Sequence, residues 1–350
     1  MRRKKLILTV SMILVMTNSC DEPETVVTNF VHPDGSVTRK IEMKNSKNNF
    51  EISDIQVPFD STWIITDTIE VDENSDTTWI RQAEKYYANV DAINMEYCTD
   101  SGANRNAIRN AEFSKKFRWF NNEYRFVERI ESEMSHGYPV SDFLDPEELR
   151  FYYSPEYLKH EKLSGPDSLK YKQLNDSVEK KSERWMLKSF VAEWIEEFGR
   201  LTRNKTGNSM LRDTLKKRED EFISLIEEDE EKFDSLWSNG LILKEFIGAE
   251  NSLKYSEEAD SADGIVSNYF WIDFKDYSMR IAMPGKLTGT NGFIDSNKIL
   301  SWPVQSSFFL TEPYEMWAES RIPNRWAWII SGLFLIFVIT GLIIRTLKKG

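Results

Sequence analysis

WAWIISGLFLIFVITGLII, residues 326–344, carries no charged side chain and is followed at once by Arg345, Lys348 and Lys349. At about 1.5 Å per residue, a helix of this length spans roughly the 30 Å hydrocarbon core of a bilayer. Trp326 and Trp328 stand at its entrance, where an indole can rest among headgroups with its N–H wet. The stretch predicts a transmembrane anchor over 326–344 with a short cytoplasmic tail, 345–350. A buried core helix is the alternative, and the lack of a polar face argues against it.

Working outward to the other end, Arg2, Arg3, Lys4 and Lys5 precede an apolar run, Leu6 to Met16, and then Thr17, Asn18, Ser19 and Cys20. A charged n-region, a short h-region and small residues before a cleavage site predict a secretory signal peptide over 1–19. The run is too short to span as a helix. A Cys directly after it resembles a bacterial lipobox, which implies that Cys20 becomes the lipidated, palmitate-bearing N-terminus of the mature chain. An ordinary signal peptide with an incidental Cys is the alternative. The basic n-region and the cations beyond Ile344 both favour the cytoplasm. Residues 21–325 are therefore expected on the exported side of a bacterial inner (plasma) membrane, facing the periplasm or exterior.

Setting aside four cations of the n-region and three of the tail leaves 38 Lys and Arg against 57 Asp and Glu, a net charge of −19 for the exported body. Such a field repels phosphates, so no nucleic-acid partner is expected. The second cysteine is Cys98, and with Cys20 lipidated no disulfide can form within the chain. Tyr97, Thr99 and Asp100 offer Cys98 no base to activate its thiol. With 40% hydrophobic and 13% aromatic residues, the body has enough apolar surface for a packed core.

Thr25–Val31 and Ser36–Met43 are β-rich runs around His32-Pro33-Asp34-Gly35, which is turn chemistry and predicts a hairpin. Thr62–Val71 is a further strand. From Thr77 the period turns helical, with Trp79, Ala83, Tyr86, Val90, Ile93 and Tyr97 on one side. Asp72, Asn74 and Asp76 imitate an EF-hand opening, but Thr77 replaces the turn Gly and Ala83 the bidentate Glu. FSKKFRWFNNEYRFVERI, 113–130, alternates as two strands with Asn121-Asn122 as the expected turn. Aromatics such as Phe117 and Trp119 are then expected in the core, with Lys and Arg paired to Glu123, Glu128 or Glu131 across the sheet; headgroup binding is the rival reading. Asp145-Pro146-Glu147-Glu148 is a helix start. Apolar stripes predict helices over about Asp176–Arg203 and Ser209–Trp237, joined by Asn204–Asn208 into an antiparallel pair. Glu227–Glu231 is expected to be a solvated face, with no metal site. Ser256–Gly264 reads as a loop. Asn268–Phe274, Tyr277–Met283, Lys298–Val304 and Tyr314–Ala318 read as an antiparallel meander. The fold class is α+β: an antiparallel β-rich exported domain, 20–139 and 263–325, with an inserted helical pair, 140–262, plus the one C-terminal transmembrane helix.

MPGKLTGTNGFIDSNKILSW, with Pro284-Gly285, Asn291-Gly292 and Trp302 before the anchor, resembles the end of LppM-type bacterial lipoproteins. The lipobox followed by a hairpin with Asp-Gly-Ser in its turn adds to that resemblance. FSKKFRWFNNEYRFVERI is also similar to uncharacterised lipoproteins of the Bacteroidota. The resemblance implies envelope localisation and an association with lipid-like ligands.

For catalysis the sequence offers little. His32, His136 and His160 stand alone in turn or loop sequence, and there is no G-x-S-x-G, H-E-x-x-H, P-loop or paired-Cys motif. No catalytic residue, cofactor or metal is expected. The chain reads as a non-enzymatic binding module whose partners are membrane lipids and an envelope protein or lipid-like ligand, with the oligomeric state left open. An assembly subunit of an envelope complex is the alternative, and a hydrolytic enzyme with a hidden carboxylate pair is a more distant one.

Overall fold

A computed structural model describes residues 24–50, 55–71, 76–207, 209–228, 241–270, 272, 274–294 and 299–347. Cys20, Lys348, Lys349, Phe233 and Trp237, the signal peptide, most of the EF-hand-like stretch and most of the acidic run 227–231 lie outside them. The chain is α+β, as its sequence predicts. Strands β1 (Glu24–Val31) and β2 (Val37–Asn45) form the expected hairpin, with Val31 opposite Val37. Its turn is closed by the Asp34 carboxylate, which accepts from the Ser36 N–H at 3.0 Å and hydroxyl at 2.7 Å, and by Gly35 at φ +93°.

Strand β3 (Ile64–Val71) follows, and then β4 (Thr77–Tyr87), where the sequence suggests a helix. Ile80, Ala83 and Tyr87 are its buried residues, a spacing of three and four that imitates the helical period. Both edges of the segment are taken by neighbours, β2 on one side and β3 on the other, so sheet pairing overrides the apparent period. The helix starts only at α1 (Val90–Cys98), where the Asn89 side chain accepts from the Ala92 N–H.

Strands β5 (Arg109–Phe117) and β6 (Asn121–Ile130) form the second hairpin. Its turn is Arg118–Phe120, closed by the Arg118 N–H on the Asn121 carbonyl at 2.8 Å, so Asn121-Asn122 belongs to the strand and not to the turn. Among the described residues, helices then follow one another up to residue 270: α2 (Pro146–Tyr152), α3 (Glu156–Leu163), α4 (Ser168–Thr206), α5 (Met210–Lys217), α6 (Glu219–Glu228), α7 (Leu241–Ile247), α8 (Ala249–Lys254) and α9 (Ser256–Phe270). Asp145 caps α2 in a capping box with Glu148. The first long helix exceeds its predicted length and ends at Gly207, φ +72°. The second is broken at Arg218 into α5 and α6. Ser256–Gly264 is helical, not a loop, and Asn268–Phe270 continues that helix, because α9 packs Ala259, Ala262 and Val266 into the helical core.

The C-terminal strands divide between two sheets and are no simple meander: β7 (Tyr277–Ala282), β8 (Lys286–Thr290), β9 (Phe293–Ile294), β10 (Leu300–Val304) and β11 (Tyr314–Pro323). One sheet has the order β3-β4-β2-β1-β7-β10-β9 and the other β5-β6-β11-β8. All pairings are antiparallel except β1 with β7. The inner faces of the two sheets meet in one core that includes Val27, Ile41, Phe126, Met279, Trp302 and Met316. A second core, around Trp185, Phe190, Trp194, Phe198 and Phe222, holds the helices together. Tyr152 and Tyr153 pack against both, Tyr152 meeting Phe308 edge-on and Tyr153 stacking on Tyr314. The last element is α10 (Arg325–Leu347), 23 residues with only Ala327 buried, long and apolar enough to cross a membrane.

Candidate functional site

The candidate site is the junction between sheet and helix. Strand β11 runs to Pro323, five residues past its predicted end, so Asn324 alone separates it from α10. Asn324 is 6% exposed and ties the two elements together. Its N–H donates to the Phe120 carbonyl at 2.9 Å, and its carboxamide donates to the Arg118 carbonyl at 2.8 Å and accepts from Asn122 at 2.8 Å. Its own carbonyl accepts from the Ala327 N–H at 3.0 Å, starting the helix.

The β5–β6 turn lies along the first turns of α10. Trp119 meets Trp326 edge-on at 5.2 Å, Phe120 packs on Trp328 at 4.4 Å, and the Trp119 indole N–H donates to Ser331 Oγ at 2.9 Å. Phe117 and Trp119 are thus exposed and outside the core, contrary to the strand-alternation reading. β5 is an edge strand paired only with β6, and from Ser114 onward its side chains on both faces are exposed, so Phe117 and the turn after it project beyond the sandwich. Of the predicted anchor residues, Trp326 and Trp328 stand at the head of the helix against this turn, and Arg345 lies in its last turn.

Inside the sandwich is a polar cluster that the sequence reading missed. Glu128, expected on the solvated face, points inward between Phe126 and Ile130 and is 1% exposed. Arg39 on β2 donates to both its oxygens, at 3.0 and 3.1 Å, while Asn29 on β1 and Tyr97 on α1 also donate to it. Asn29 accepts from Arg39 Nε at 2.7 Å. Burial works against the Arg39 cation, but Glu128 outweighs it and holds the guanidinium pKa above its usual value; burial likewise pushes the Tyr97 phenol up. Beside it, Arg109 pairs with Asp100 and stacks on the Tyr97 ring at 4.6 Å. Both oxygens of Glu128 are engaged and the residue is buried, so the cluster bolts the two sheets together.

Two concavities lie elsewhere. The open face of the larger sheet holds one of about 460 Å³, lined by Thr28, Phe30, Lys40, Glu42, Gln82 and Glu84. Lys40 pairs with Glu84 at 2.8 Å and Gln82 donates to Glu42 at 3.0 Å, so these four side chains are matched to one another. A smaller one, about 240 Å³, lies among His136, Glu196, Arg200 and Arg212, with Arg212 bidentate on Glu196. His136 donates its backbone N–H to Glu193, His32 bonds Thr38, and His160 lies on exposed α3. Cys98 is an exposed free thiol. Among the described residues, no three His, Cys, Asp or Glu converge to hold a metal.

No family's sequence profile matches the chain, and no curated protein matches it in sequence. Among solved structures, the chain is similar to the folded domain of Mycobacterium tuberculosis LppM, determined by NMR, at a TM-score of 0.27 and 9% identity over 87% of this chain and 92% of that one. A TM-score of that size does not establish a shared topology.

Proposed function

We propose that the chain is an exported, membrane-anchored lipoprotein that acts as a non-enzymatic binding module at the cell envelope, holding its β-sandwich at a fixed height and angle over the bilayer. The observation that carries this reading is the one-residue junction: Asn324 is bonded to the β5–β6 turn on one side and starts α10 on the other. A tether that only retained a protein at a membrane would need no such coupling. The sandwich interior is filled by aromatic side chains and the Arg39–Glu128 cluster, so a partner is met on a surface, and the open face of the larger sheet, with its concavity of about 460 Å³, is a candidate for it.

The test inserts a flexible Gly/Ser linker of about thirty residues after Asn324, which keeps the sandwich and α10 intact but frees one from the other. Photo-crosslinkers at Thr28 and Gln82 would report the bound partner, protein or lipid, by mass spectrometry of isolated membranes. The expected result is a dominant adduct in the parent protein that is lost in the lengthened one. The same adduct at equal yield in both would contradict a membrane-proximal module.

A further inference from the structure

The membrane end of the smaller sheet carries one cross-strand row: Lys116 on β5, Glu123 on β6, Arg321 on β11 and Lys286 on β8 are paired in register. Partners directly opposite in register project from the same face. The single carboxylate of the row also accepts from Arg118, at 3.2 Å, and Arg325 opens the adjoining helix. Among the described residues, no ion pair neutralises Lys116, Lys286, Arg321 or Arg325. Five cations thus surround one acid at the rim of a body whose net charge is strongly negative. The next row up the sheet is balanced, with Arg125 on Glu319 at 2.7 Å.

Beyond this cationic row the turn itself is aromatic. Phe117, Trp119 and Phe120 are 59%, 47% and 40% exposed. Ser331, which holds the Trp119 indole, lies five residues past Trp326, about 7.5 Å further along the helix axis. With Trp326 at headgroup level, the Trp119 ring is carried to the boundary between headgroups and acyl chains, where an indole with a satisfied N–H is stable.

We propose that the β5–β6 turn is a second membrane-inserting element: Phe117, Trp119 and Phe120 enter the exported-side leaflet beside α10, and Lys116, Lys286 and Arg321, with Arg118 and Arg325, receive the phosphates of anionic phospholipid headgroups. This rests on the reading of α10 as a membrane span. The cross-strand row of Lys116, Arg321 and Lys286 lies at the level of phosphate, with Arg118 turned back onto Glu123 of that row, and the rings of Trp119 and Phe120 lie beyond it against α10. Continuity with α10 identifies the occupant as lipid, because any other partner of these rings would have to displace the bilayer around the helix.

The experiment uses the full-length chain in nanodiscs of phosphatidylcholine and phosphatidylglycerol, in a Cys20→Ser, Cys98→Ser background. An environment-sensitive NBD label is placed singly through Phe120→Cys, Ile69→Cys or Phe337→Cys. The label at 120 should emit as in an apolar medium and be quenched by nitroxide on acyl carbon 5, while the label at 69, on the exposed edge strand β3, should be quenched only by aqueous iodide. A label at 120 that behaves like the one at 69, while the label at 337 is quenched by mid-chain nitroxide, would overturn the insertion and leave the span standing. A label at 337 untouched by nitroxide would overturn the span and the proposal together. Spin-labelled lipids test the headgroup half. The wild type should prefer phosphatidylglycerol over phosphatidylcholine, and Lys116→Gln, Lys286→Gln, Arg321→Gln together should lower that preference by roughly fivefold or more. No preference in the wild type would overturn the anionic contact.

Discussion

Glu128 and Arg39 meet with side chains 1% and 2% exposed, where each is held by at least two further hydrogen bonds. Removing one partner strands a charge in a low-dielectric interior, so Glu128→Ala should cost about 3 to 5 kcal/mol. The double variant Arg39→Met, Glu128→Leu removes both charges and should recover most of that loss, since replacing a buried pair with apolar volume is often neutral or better. Urea unfolding in detergent micelles measures both; a double variant no more stable than Glu128→Ala would show that the pair stabilises the sandwich on its own account. The register of these residues was legible in part. Val37, Ile41 and Met43 put residue 39 in the inward phase of β2, and Phe126 and Ile130 do the same for residue 128. Only the meeting of two such positions from different sheets makes them an ion pair, and no local pattern shows which strands face each other.

At the scale of the element, the stripe on α4 is core. Trp194 is 2% exposed and stacks on Phe198 at 5.1 Å and on Phe222 of α6 at 6.0 Å. Trp194→Ala should therefore cost about 3 to 5 kcal/mol, read as a lowered Tm; an unchanged Tm with loss of a co-purifying protein would mark the stripe as an interface instead. The start of α2 predicts an acid dependence. Burial of Glu148 raises its pKa, but Lys181 at 2.6 and 2.7 Å, the Asp145 N–H and the Ser177 hydroxyl outweigh it and hold the carboxyl below its ordinary value. A carboxyl depressed in the folded state stabilises the protein above its unfolded pKa of about 4.3, and that contribution fades as pH falls through the folded value. Glu148→Gln should accordingly lower stability at pH 7 and flatten its decline below about pH 4.3, as followed by Tm against pH; parallel profiles for variant and parent would rule the group out. Strong stripes and caps such as these are legible because they are local. Thr77–Tyr87 and Ser256–Phe270 are not. The first buries Ile80, Ala83 and Tyr87 at helical spacing within a strand, and the second opens with the acidic, small composition of a loop and ends with that of a strand, yet is held helical by contact with α4.

For the whole molecule, the long apolar helix and the aromatic-basic hairpin are each legible in the sequence, but their contact joins residues some two hundred positions apart and only the assembled fold brings Trp119 to Ser331. The same topology sets where the other end of the sandwich lies. β1 runs parallel to β7 with Phe30 beside Ala282, and two residues on the Pro284 carbonyl accepts from the Ser320 hydroxyl at 2.7 Å near the end of β11. β1 therefore runs toward α10 and begins, at Glu24, on the far side of the sandwich. From Phe30 back to Glu24 is about 20 Å of strand, and Ser320 to Arg325 adds roughly 16 Å in the opposite direction. Four residues from Cys20 to Glu24 extend at most about 14 Å. Were Cys20 lipidated and α10 a membrane span, the lipid would be held out of reach of that bilayer for as long as β1 stays paired. Full-length protein that incorporates radiolabelled palmitate should accordingly cluster protein-free vesicles onto proteoliposomes, measured by energy transfer between two lipid dyes. Cys20→Ser should lose both the label and the clustering yet remain in carbonate-washed membranes through α10. Release of that variant into the soluble fraction would remove α10 as an anchor. If lipidated wild type fails to cluster vesicles, its lipid has folded back into the bilayer of α10, and the start of β1 must have unpaired to let it.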